Sequence, residues 1–489
     1  MFRLQLGGGT AAELTSGYMK TDFDLIVIGG GSGGYAAART AAAAGLKTAL
    51  VEGGDQVGGL CILRGCMPSK ALLYAAEVHH LARHAGTWGV SAGPVTVDWG
   101  AVMARKDRLI GEFAAHRVQQ LESGRFEFIR ARASFREPHT LVLGNGDTLT
   151  ARHFVVATGS VVSPPPLPEL AEAGYLTSDD VLRLERPPRS LVVLGGGPVA
   201  AELAQFLQRL GTEVTLVQRS DQILRHADPD AAQAVETALR REGMRVYTGT
   251  QLTGAGRTSH GRFVEFRHAG QGLRVEAEAI LLALGRSPNT ADLQLDVAGV
   301  RTEGGRIVTD AELRTTAPHI YAAGDCTGPH EIVHLAVQQG ETAVHNLLHP
   351  DQPRRMDYRL LITVVFTEPQ LGVVGLTEKA AQAQNIPFRA ASYPFNDHGK
   401  SLIMEALDGF VKLLADPATG EILGGACVGP LGGELIHEIV AAMHHRMTVH
   451  ELAVLPHYHP TLAEIWTYPA EELAAQTKTG AGSANPAAD

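Results

Sequence analysis

A glycine-rich segment between a predicted strand and a predicted helix restricts this chain to few folds. The apolar strand Phe23 to Ile28 runs into Gly29-Gly30-Gly31-Ser32-Gly33-Gly34, and an alanine-rich helix follows. A second strand, Lys47 to Val51, ends at Glu52. Glycines at this spacing permit a tight turn and close approach of a pyrophosphate, and an acid after the second strand can bind a ribose. We therefore predict dinucleotide binding through Gly29, Gly31, Gly34 and Glu52.

The same arrangement recurs further along the chain. The strand Leu191 to Leu194 runs into Gly195-Gly196-Gly197-Pro198-Val199-Ala200, and a helix and the strand Glu213 to Val217 follow. At the position that corresponds to Glu52 stands Gln218, with Arg219 and Arg225 close behind. A carboxylate repels a 2′-phosphate, whereas arginine binds one, so this unit is predicted to bind NADPH. The alternative is that both arginines are solvated surface charges.

Three further strands end in small residues, which allow a flat cofactor to approach. They are followed by Thr158-Gly159, Gly285 and Gly324-Asp325. Prolines between 164 and 168 mark a crossover, so the second unit is predicted to be inserted in the first. The predicted class is α/β, with two Rossmann-like domains, at 21–161 with 285–356 and at 162–284, and an α+β domain at 357–475. A flexible extension (1–20) and a disordered tail (476–489) complete the chain.

The segment Gly58-Gly59-Leu60-Cys61-Ile62-Leu63-Arg64-Gly65-Cys66-Met67-Pro68-Ser69-Lys70 carries the predicted chemistry. Pro68 suits the first turn of a helix, so Cys66 is expected at a helix N-terminus, where a thiolate is favoured. Five helical positions span roughly 7.5 Å, which exceeds the reach of a disulfide. If the two cysteines pair, the turn between them must be non-helical, and Gly65 permits this. The alternative is two unrelated buried thiols.

Composition excludes several classes of function. The net charge of −10 argues against nucleic acid as a partner, and no apolar run approaches the length of a membrane span. The first twenty residues lack the apolar core of a signal peptide. Four cysteines in 489 residues do not form a secreted disulfide scaffold, so we expect a cytoplasmic protein with one catalytic pair. His437-Glu438 lacks the second histidine of a zinc motif, and no metal site is predicted.

Together these motifs resemble the class I pyridine nucleotide–disulfide oxidoreductases, which include dihydrolipoamide dehydrogenase, glutathione reductase and mercuric reductase. The resemblance extends from about Phe23 to Leu473. Its most specific parts are the cysteine segment and His457-Tyr458-His459-Pro460-Thr461-Leu462-Ala463-Glu464, supported by the segments 321–325 and 366–370. It implies FAD in the first unit, a nicotinamide cofactor in the second, and a homodimer in which each active site takes a C-terminal histidine from the partner.

The resemblance also implies a role for individual residues. A redox disulfide would join Cys61, the interchange thiol, to Cys66, the flavin-proximal thiol. His459 would be the acid–base catalyst, with Glu464 fixing its tautomer, and Lys70 would lie near the flavin, paired with Glu202. The implied contacts to FAD are Gly29, Gly31, Gly34, Glu52, Gly59, Thr158, Gly159, Gly324 and Asp325. Those on the NADPH side are Gly195, Gly197, Ala200, Glu202, Arg219, Arg225 and Gly285.

The sequence departs from the family pattern beside the cysteines. Leu60 replaces a threonine, and Ile62-Leu63-Arg64 differs from the segment typical of lipoamide dehydrogenases. The guanidinium of Arg64 can favour a thiolate or attract an anionic substrate. The leading hypothesis is therefore an NADPH-dependent reductase of a small disulfide. The alternatives are an NAD-linked dihydrolipoamide dehydrogenase, a reductase of mercuric ion, quinones or oxygen at the flavin, and a redox-responsive binding protein.

Overall fold

The computed structural model describes residues 21–328 and 330–477. The predicted extension at 1–20 lies outside the described residues, as does the predicted tail beyond Thr477. Thr477 itself is buried, and its hydroxyl donates to the carbonyl of Leu473. Among the described helices, none combines the length and the hydropathy needed to traverse a bilayer.

The described chain contains strands and helices of the following bounds. The strands are β1 Phe23–Ile28, β2 Thr48–Glu52, β3 Glu127–Arg130, β4 Ala133–Glu137, β5 Thr140–Leu143, β6 Thr148–Val156, β7 Ser160–Val162, β8 Ser190–Leu194, β9 Glu213–Val217, β10 Arg245–Tyr247, β11 Gln251–Thr258, β12 Gly261–His268, β13 Gln271–Ala277, β14 Ala279–Leu282, β15 Arg286–Pro288, β16 Thr302–Glu303, β17 Arg306–Ile307, β18 Ile320–Ala322, β19 Ile362–Val365, β20 Gln370–Gly375, β21 Arg389–Pro394, β22 Phe410–Ala415 and β23 Ile422–Gly429. The α-helices are α1 Ser32–Ala43, α2 Gly59–Leu63, α3 Cys66–Arg83, α4 Trp99–Leu121, α5 Pro168–Ala173, α6 Ser178–Val181, α7 Pro198–Arg209, α8 Pro229–Arg241, α9 Val333–Leu348, α10 Glu378–Ala383, α11 Gly399–Met404, α12 Gly432–His444, α13 Val449–Ala453 and α14 Thr467–Gln476.

The described chain divides into two compact units, each assembled from separate segments. The first contains residues 21–68, 105–163 and 286–356. The second contains 69–104, 164–285 and 357–477, and so includes both the predicted NADPH domain and the C-terminal domain. The domain boundaries drawn from the sequence stay a prediction.

A seven-stranded sheet organises the first unit, in the order β3-β2-β1-β6-β5-β4 with β18 also paired to β6. β1 runs parallel to β2 and β6, and β18 runs parallel to β6. The register aligns Ile28 with Val51 and Val156, and Val156 with Ala322. The carboxyl ends of these four strands therefore meet at one edge of the sheet, where ligands bind in open α/β folds.

A smaller parallel sheet organises the NADPH-side part of the second unit, in the order β10-β9-β8-β14. Leu194 aligns with Val217 and with Leu282, so Gly195 and Gln218 lie at one edge, just as Gly29 and Glu52 do in the first sheet. An antiparallel meander, β11-β12-β13, packs beside this sheet through a core that contains Val264 and Phe266.

An antiparallel sheet in the order β19-β20-β23-β22-β21 forms the C-terminal part of the second unit. Its core surrounds the fully buried Trp466. A 3₁₀ turn, Tyr358–Leu360, precedes β19, so strand pairing in this sheet begins only at Ile362. The Asp357 carboxylate accepts the Arg359 N–H in that turn at 3.1 Å, which gives the backbone an alternative to strand pairing.

Candidate active site

The two cysteines of the predicted redox pair lie on consecutive helices that are separated by a break. Cys61 is in α2, and Cys66 is the first residue of α3. Arg64 leaves the helical conformation at φ −145°, and Gly65 packs so closely that a Cβ on it would lie 3.3 Å from the Cα of Cys61. The non-helical turn required for pairing is therefore present, although the disulfide itself stays a prediction.

The chemical setting differs between these cysteines and the other two. Cys61 and Cys66 are half-buried, and the N-terminal N–H groups of α3 favour negative charge at Cys66. Cys326 and Cys427 are fully buried. Burial raises the pKa of Cys326 to about 11 and raises the pKa of Cys427 as well, so both are poor thiolates near neutral pH.

Arg117, in α4, was not singled out in the sequence. Its guanidinium lies 4.3 Å from the centre of the Tyr35 ring. Its Nε and Nη1 atoms are buried and make no hydrogen bond within the described chain. Burial lowers the pKa of Arg117, and the Tyr35 and Cys61 side chains oppose that shift.

The first glycine-rich segment forms a cradle that fits the pyrophosphate and ribose of a dinucleotide. Gly29 has a positive φ, and a Cβ there would lie 2.4 Å from the Ala157 carbonyl. Gly59 also has a positive φ, and a Cβ on it would lie 2.6 Å from the Cα of Gly31. Gly34 lies in the first turn of α1. Glu52 accepts the N–H groups of Gly30 and Gly54, each at 2.7 Å, so its carboxylate is fixed at the end of β2.

Two other segments reach the same edge of this sheet. Thr158 and Gly159 follow β6, and the Thr158 hydroxyl is buried without a hydrogen-bond partner in the described residues. Gly324 and Asp325 follow β18, where Asp325 accepts the hydroxyl of Ser160 at 2.7 Å. An orphaned buried hydroxyl, a fixed carboxylate and an open glycine cradle fit FAD, with Glu52 for the adenosine ribose and the N-terminus of α1 for the pyrophosphate.

The second glycine-rich segment repeats this geometry with one change. Gly195 has a positive φ, and a Cβ there would lie 2.3 Å from the Ala283 carbonyl. A Cβ on Gly196 would meet the Gln218 side chain at 3.0 Å, as one on Gly30 would meet Glu52 at 2.9 Å. Gln218 is thus the structural counterpart of Glu52, and its amide donates to the Ser220 hydroxyl.

Two of the other glycines predicted for this second site have open space next to them. Neither Gly197 nor Gly285 has a neighbour within 4 Å of an added Cβ. Ala200 is buried in the first turn of α7, which tightens the helix against β8. Arg219 and Arg225 are exposed, and Arg225 Nε donates to His226 at 3.1 Å. These features leave two cations beside the cradle in place of an acid.

Lys70 and Glu202 form the ion pair expected from the sequence. Lys70 Nζ lies 2.8 Å from Glu202 Oε2 and 4.5 Å from the centre of the Phe366 ring. The other oxygen of Glu202 accepts the N–H of Phe366 at 3.0 Å. The Glu202 carboxylate is therefore engaged by Lys70 and by backbone, and its role toward NADPH stays a prediction.

His459 and Glu464 form a hydrogen-bonded pair. His459 Nδ1 lies 2.9 Å from Glu464 Oε2, and the histidine side chain is 77% exposed whereas that of the glutamate is 11% exposed. A carboxylate at Nδ1 favours the tautomer in which Nδ1 carries the proton, which leaves Nε2 as the basic atom. The exposed imidazole can therefore exchange protons with a reacting group.

Two more side chains belong to this cluster. His457 Nε2 lies 2.7 Å from Glu438 Oε1. Glu438, which belongs to the incomplete zinc motif, therefore pairs with a histidine close to His459 in the sequence. His398 Nε2 lies 3.4 Å from Glu464 Oε1. Nothing in the sequence near His398 indicated this contact, because the two residues are far apart along the chain.

Family models match nearly the whole chain. Residues 23–340 match the pyridine nucleotide-disulphide oxidoreductase family, and residues 361–470 match its dimerisation domain. The dihydrolipoyl dehydrogenases of Chlamydia trachomatis and Thermus scotoductus are 36% and 37% identical, covering 92% and 93% of this chain and 96% and 98% of their own lengths. A mercuric reductase of Staphylococcus aureus is 33% identical over 88% of this chain and 79% of its own length.

Solved structures show the same relationship. The HOCl-induced flavoprotein disulfide reductase RclA from Escherichia coli has a TM-score of 0.81 and 26% identity, and covers 92% of this chain and 99% of its own. LpdA from Mycobacterium tuberculosis has a TM-score of 0.82 and 30% identity at the same coverage of both chains. The predicted fold class and the family resemblance are thereby confirmed, and a homodimer is supported by the dimerisation domain. The chain belongs to the class I pyridine nucleotide–disulfide oxidoreductases, enzymes that use FAD and a pyridine nucleotide.

Proposed function

We propose that the protein reduces a small disulfide with electrons from NADPH. The observation that carries this proposal is the helix break at Gly65, which sets Cys61 and Cys66 on adjoining helix ends beside the first dinucleotide cradle. FAD, when bound, supplies the path for two electrons from NADPH to the Cys61–Cys66 disulfide. The net reaction consumes NADPH, a proton and one disulfide, and yields NADP⁺ and two thiols.

Cys61 and Cys66 divide the thiol chemistry between them. The Cys61 thiolate attacks one substrate sulfur, forms a mixed disulfide and expels the other substrate sulfur as a thiolate. Cys66 then attacks the sulfur of Cys61, re-forms the internal disulfide and releases the second substrate thiol. Helix-terminal N–H groups favour the anion that Cys66 needs for this attack.

His459 handles the protons of these steps. Its Nε2 accepts the Cys61 proton before attack and donates it to the departing substrate thiolate, because an imidazole titrates near neutral pH. Glu464 holds the imidazole orientation and stabilises the imidazolium between the two transfers. The exposure of His459 on one chain is consistent with its acting on the cysteines of the partner subunit.

Lys70 is proposed to supply positive charge beside the bound flavin. Its ammonium lies one turn into α3 from Cys66 and is fixed by Glu202. Glu202 has 5% exposure and Lys70 has 33%, so the pair is shielded from bulk water on the carboxylate side. A cation held in this way favours anionic character in a neighbouring group.

The choice of NADPH over NADH is proposed from the contrast between the two cradles. In the first, Glu52 is fixed by two backbone N–H groups, whereas its counterpart in the second is the neutral Gln218. Arg219 and Arg225 add two exposed cations nearby. A 2′-phosphate is favoured by this combination, while an acid would repel it.

An acidic disulfide is the proposed substrate class. Arg64 lies between the two cysteines and is exposed. A guanidinium at this position can bind a substrate carboxylate bidentately, whereas neutral lipoamide has no charge for it to pair with.

A dihydrolipoamide dehydrogenase is the second candidate, and it is favoured by the two relatives of that name that cover nearly the whole chain. Mercuric ion reduction has less support. The mercuric reductase relative is longer than the matched region, and the last cysteine of this chain, Cys427, is fully buried. These candidates differ in acceptor and in nicotinamide cofactor, so steady-state kinetics separate them.

The test uses the FAD-loaded enzyme with NADPH or NADH against glutathione disulfide, cystine, lipoamide, mercuric ion and a quinone. We expect the highest kcat/KM with NADPH and an acidic disulfide. Cys61→Ser should lower disulfide reduction by about a thousandfold, because the nucleophile is lost. Quinone reduction, which needs only reduced flavin, should persist in the same variant.

The matched control is Cys427→Ala, which removes a buried thiol outside the predicted site and should leave disulfide reduction unchanged. Disulfide reduction that survives in Cys61→Ser would contradict the proposed function. A tenfold or greater preference for NADH would contradict the cofactor assignment alone. Lipoamide as the best acceptor would favour the second candidate.

A further inference from the structure

Glu464 contacts two imidazoles. The first is His459, whose Nδ1 lies 2.9 Å from Oε2. The second is His398, whose Nε2 lies 3.4 Å from Oε1. The two histidines differ in exposure, since the His459 side chain is 77% exposed and the His398 side chain is 0% exposed. The carboxylate therefore links a solvent-facing imidazole to one in the core.

His398 is held in place by its surroundings. Its Nδ1 lies 2.9 Å from the hydroxyl of Ser401, which is also fully buried. Phe395 and Tyr468 approach its ring in edge-to-face geometry. The titratable groups that face it are Glu464, His459 and Tyr468. Glu464 is therefore the nearest anion to His398, and Ser401 is the nearest hydroxyl.

The protonation state of His398 follows from these contacts. Burial lowers the pKa of His398, and Glu464 opposes that shift, so the imidazole is neutral near pH 7. A neutral ring carries one N–H. The proton is favoured on Nε2, where it faces the carboxylate, because a lone pair there would be repelled by Glu464. Nδ1 then accepts a hydrogen bond from the Ser401 hydroxyl, because a hydroxyl can act as donor or acceptor.

We propose that His398 is a positioning residue that orients Glu464 toward His459, as the third member of a Ser401–His398–Glu464–His459 chain. This inference rests on the proposed acid–base role of His459. A carboxylate that is nearly buried needs a donor for each oxygen. His459 Nδ1 lies within hydrogen-bond distance of both oxygens, at 2.9 and 3.2 Å, and His398 Nε2 lies 3.4 Å from Oε1 on the buried side without completing a hydrogen bond. The carboxylate is therefore held between two imidazoles, and His398 limits its rotation.

His398 affects His459 through the orientation of Glu464. Without the His398 imidazole, Glu464 loses the buried group that lies against Oε1 and can rotate away from His459. An imidazole that is no longer held in one orientation delivers its proton at a lower rate.

His398→Phe and His398→Gln separate this role from packing. Phe keeps a buried ring but has no N–H, whereas Gln keeps a neutral N–H donor close to the position of Nε2. His153→Phe, which removes a half-buried histidine in the other compact unit, reports what the loss of an unrelated imidazole costs. Each variant is compared as the FAD-loaded dimer for kcat/KM against pH with a disulfide, for quinone reduction and for melting temperature.

We expect His398→Phe to lower disulfide kcat/KM by about tenfold and to shift the dependence of kcat/KM on pH by about half a unit. His398→Gln should recover most of the rate and the original pH profile, and quinone reduction should be unchanged in both. A pH profile of His398→Phe that superimposes on the wild type would overturn the proposal. So would a Gln variant that is as impaired as Phe, which indicates packing alone.

His459→Gln distinguishes failure of this inference from failure of the proposed function. If disulfide reduction survives in His459→Gln, the acid–base assignment fails and the relay fails with it. If His459→Gln is inactive with disulfides while His398→Phe behaves as the wild type, the proposed function stands and only the role of His398 is wrong.

Discussion

At the scale of single residues, we propose that one amide sets the preference of the second cradle for NADPH over NADH. Gln218 occupies the place that Glu52 holds in the first cradle. We predict that Gln218→Glu lowers the ratio of kcat/KM for NADPH over NADH by at least about tenfold, because the new carboxylate repels the 2′-phosphate. Initial rates with each cofactor at a saturating concentration of disulfide measure this ratio.

Gln233→Glu is the matched control for that substitution. Gln233 is exposed on α8, where its amide donates to the Thr237 hydroxyl at 3.1 Å, so it receives the same added charge elsewhere in the same unit. Its cofactor ratio should equal that of the wild type. An unchanged ratio in Gln218→Glu would mean that the 2′-phosphate is bound away from this position.

Residue roles could be anticipated from the sequence only where a local motif carried them. The cradle glycines, Glu52 and the His459–Glu464 pair all lie within short patterns. Arg117 and His398 do not, because each acquires its partners through tertiary packing. The local sequence does not distinguish an arginine whose guanidinium is buried from one that is solvated.

At the scale of elements, the break between α2 and α3 sets the distance between the two cysteines. A Cβ on residue 65 would lie 3.1 Å from the Leu60 carbonyl and 3.3 Å from the Cα of Cys61. Gly65→Ala must therefore displace this backbone by a few tenths of an ångström. We expect disulfide kcat to fall severalfold to about tenfold, since small misplacements of reacting atoms are costly.

Gly111→Ala tests the same chemical change in a place that tolerates it. Gly111 lies inside α4 with no neighbour within 4 Å of an added Cβ. That variant should gain about 0.5–1 kcal/mol in the free energy of unfolding, with disulfide kcat unchanged. Equal kcat values for Gly65→Ala and the wild type would show that the break does not control the cysteine geometry.

Most elements with a clear period or motif could be predicted from the sequence. The strand β1, the start of α3 at Cys66 and the strand β9 match the predicted positions. The long helix α4 and the antiparallel meander β11–β13 were not predicted. The meander strands pack one face against a core and leave the other partly exposed. Their apolar pattern therefore depends on a partner surface that the local sequence does not reveal.

At the scale of the whole molecule, the sequence indicated an inserted domain but not the full composition of the second unit. Residues 69–104 precede the insertion in the chain, yet they belong to that unit. Leu72, Ala76 and Met103 pack in one core with Val193 and Phe206. Such long-range packing leaves no periodic signal, because each of these positions simply looks apolar in its own helix.

Glu368 makes the stability of the folded molecule depend on pH. Burial raises the pKa of Glu368 to about 7, with Glu77, Glu242 and Asp408 adding to the shift and Arg209 opposing it. Its ordinary value is 4.5, so between pH 4.5 and 7 the folded state holds a proton that the unfolded chain has lost. Stability conferred by the neutral form is therefore complete below pH 4.5 and declines as the pH rises toward 7.

Glu368→Gln should remove this decline, because an amide is neutral in both states and fills nearly the same volume. Melting temperatures of the FAD-loaded enzyme measured from pH 5 to pH 8 are expected to fall less in this variant than in the wild type. Glu112→Gln, at an exposed position of α4 paired with Arg108, supplies the comparison for loss of one surface carboxylate. Parallel curves for Glu368→Gln and the wild type would show that Glu368 titrates alike in the folded and unfolded chains, and the pH dependence would then have to come from other groups.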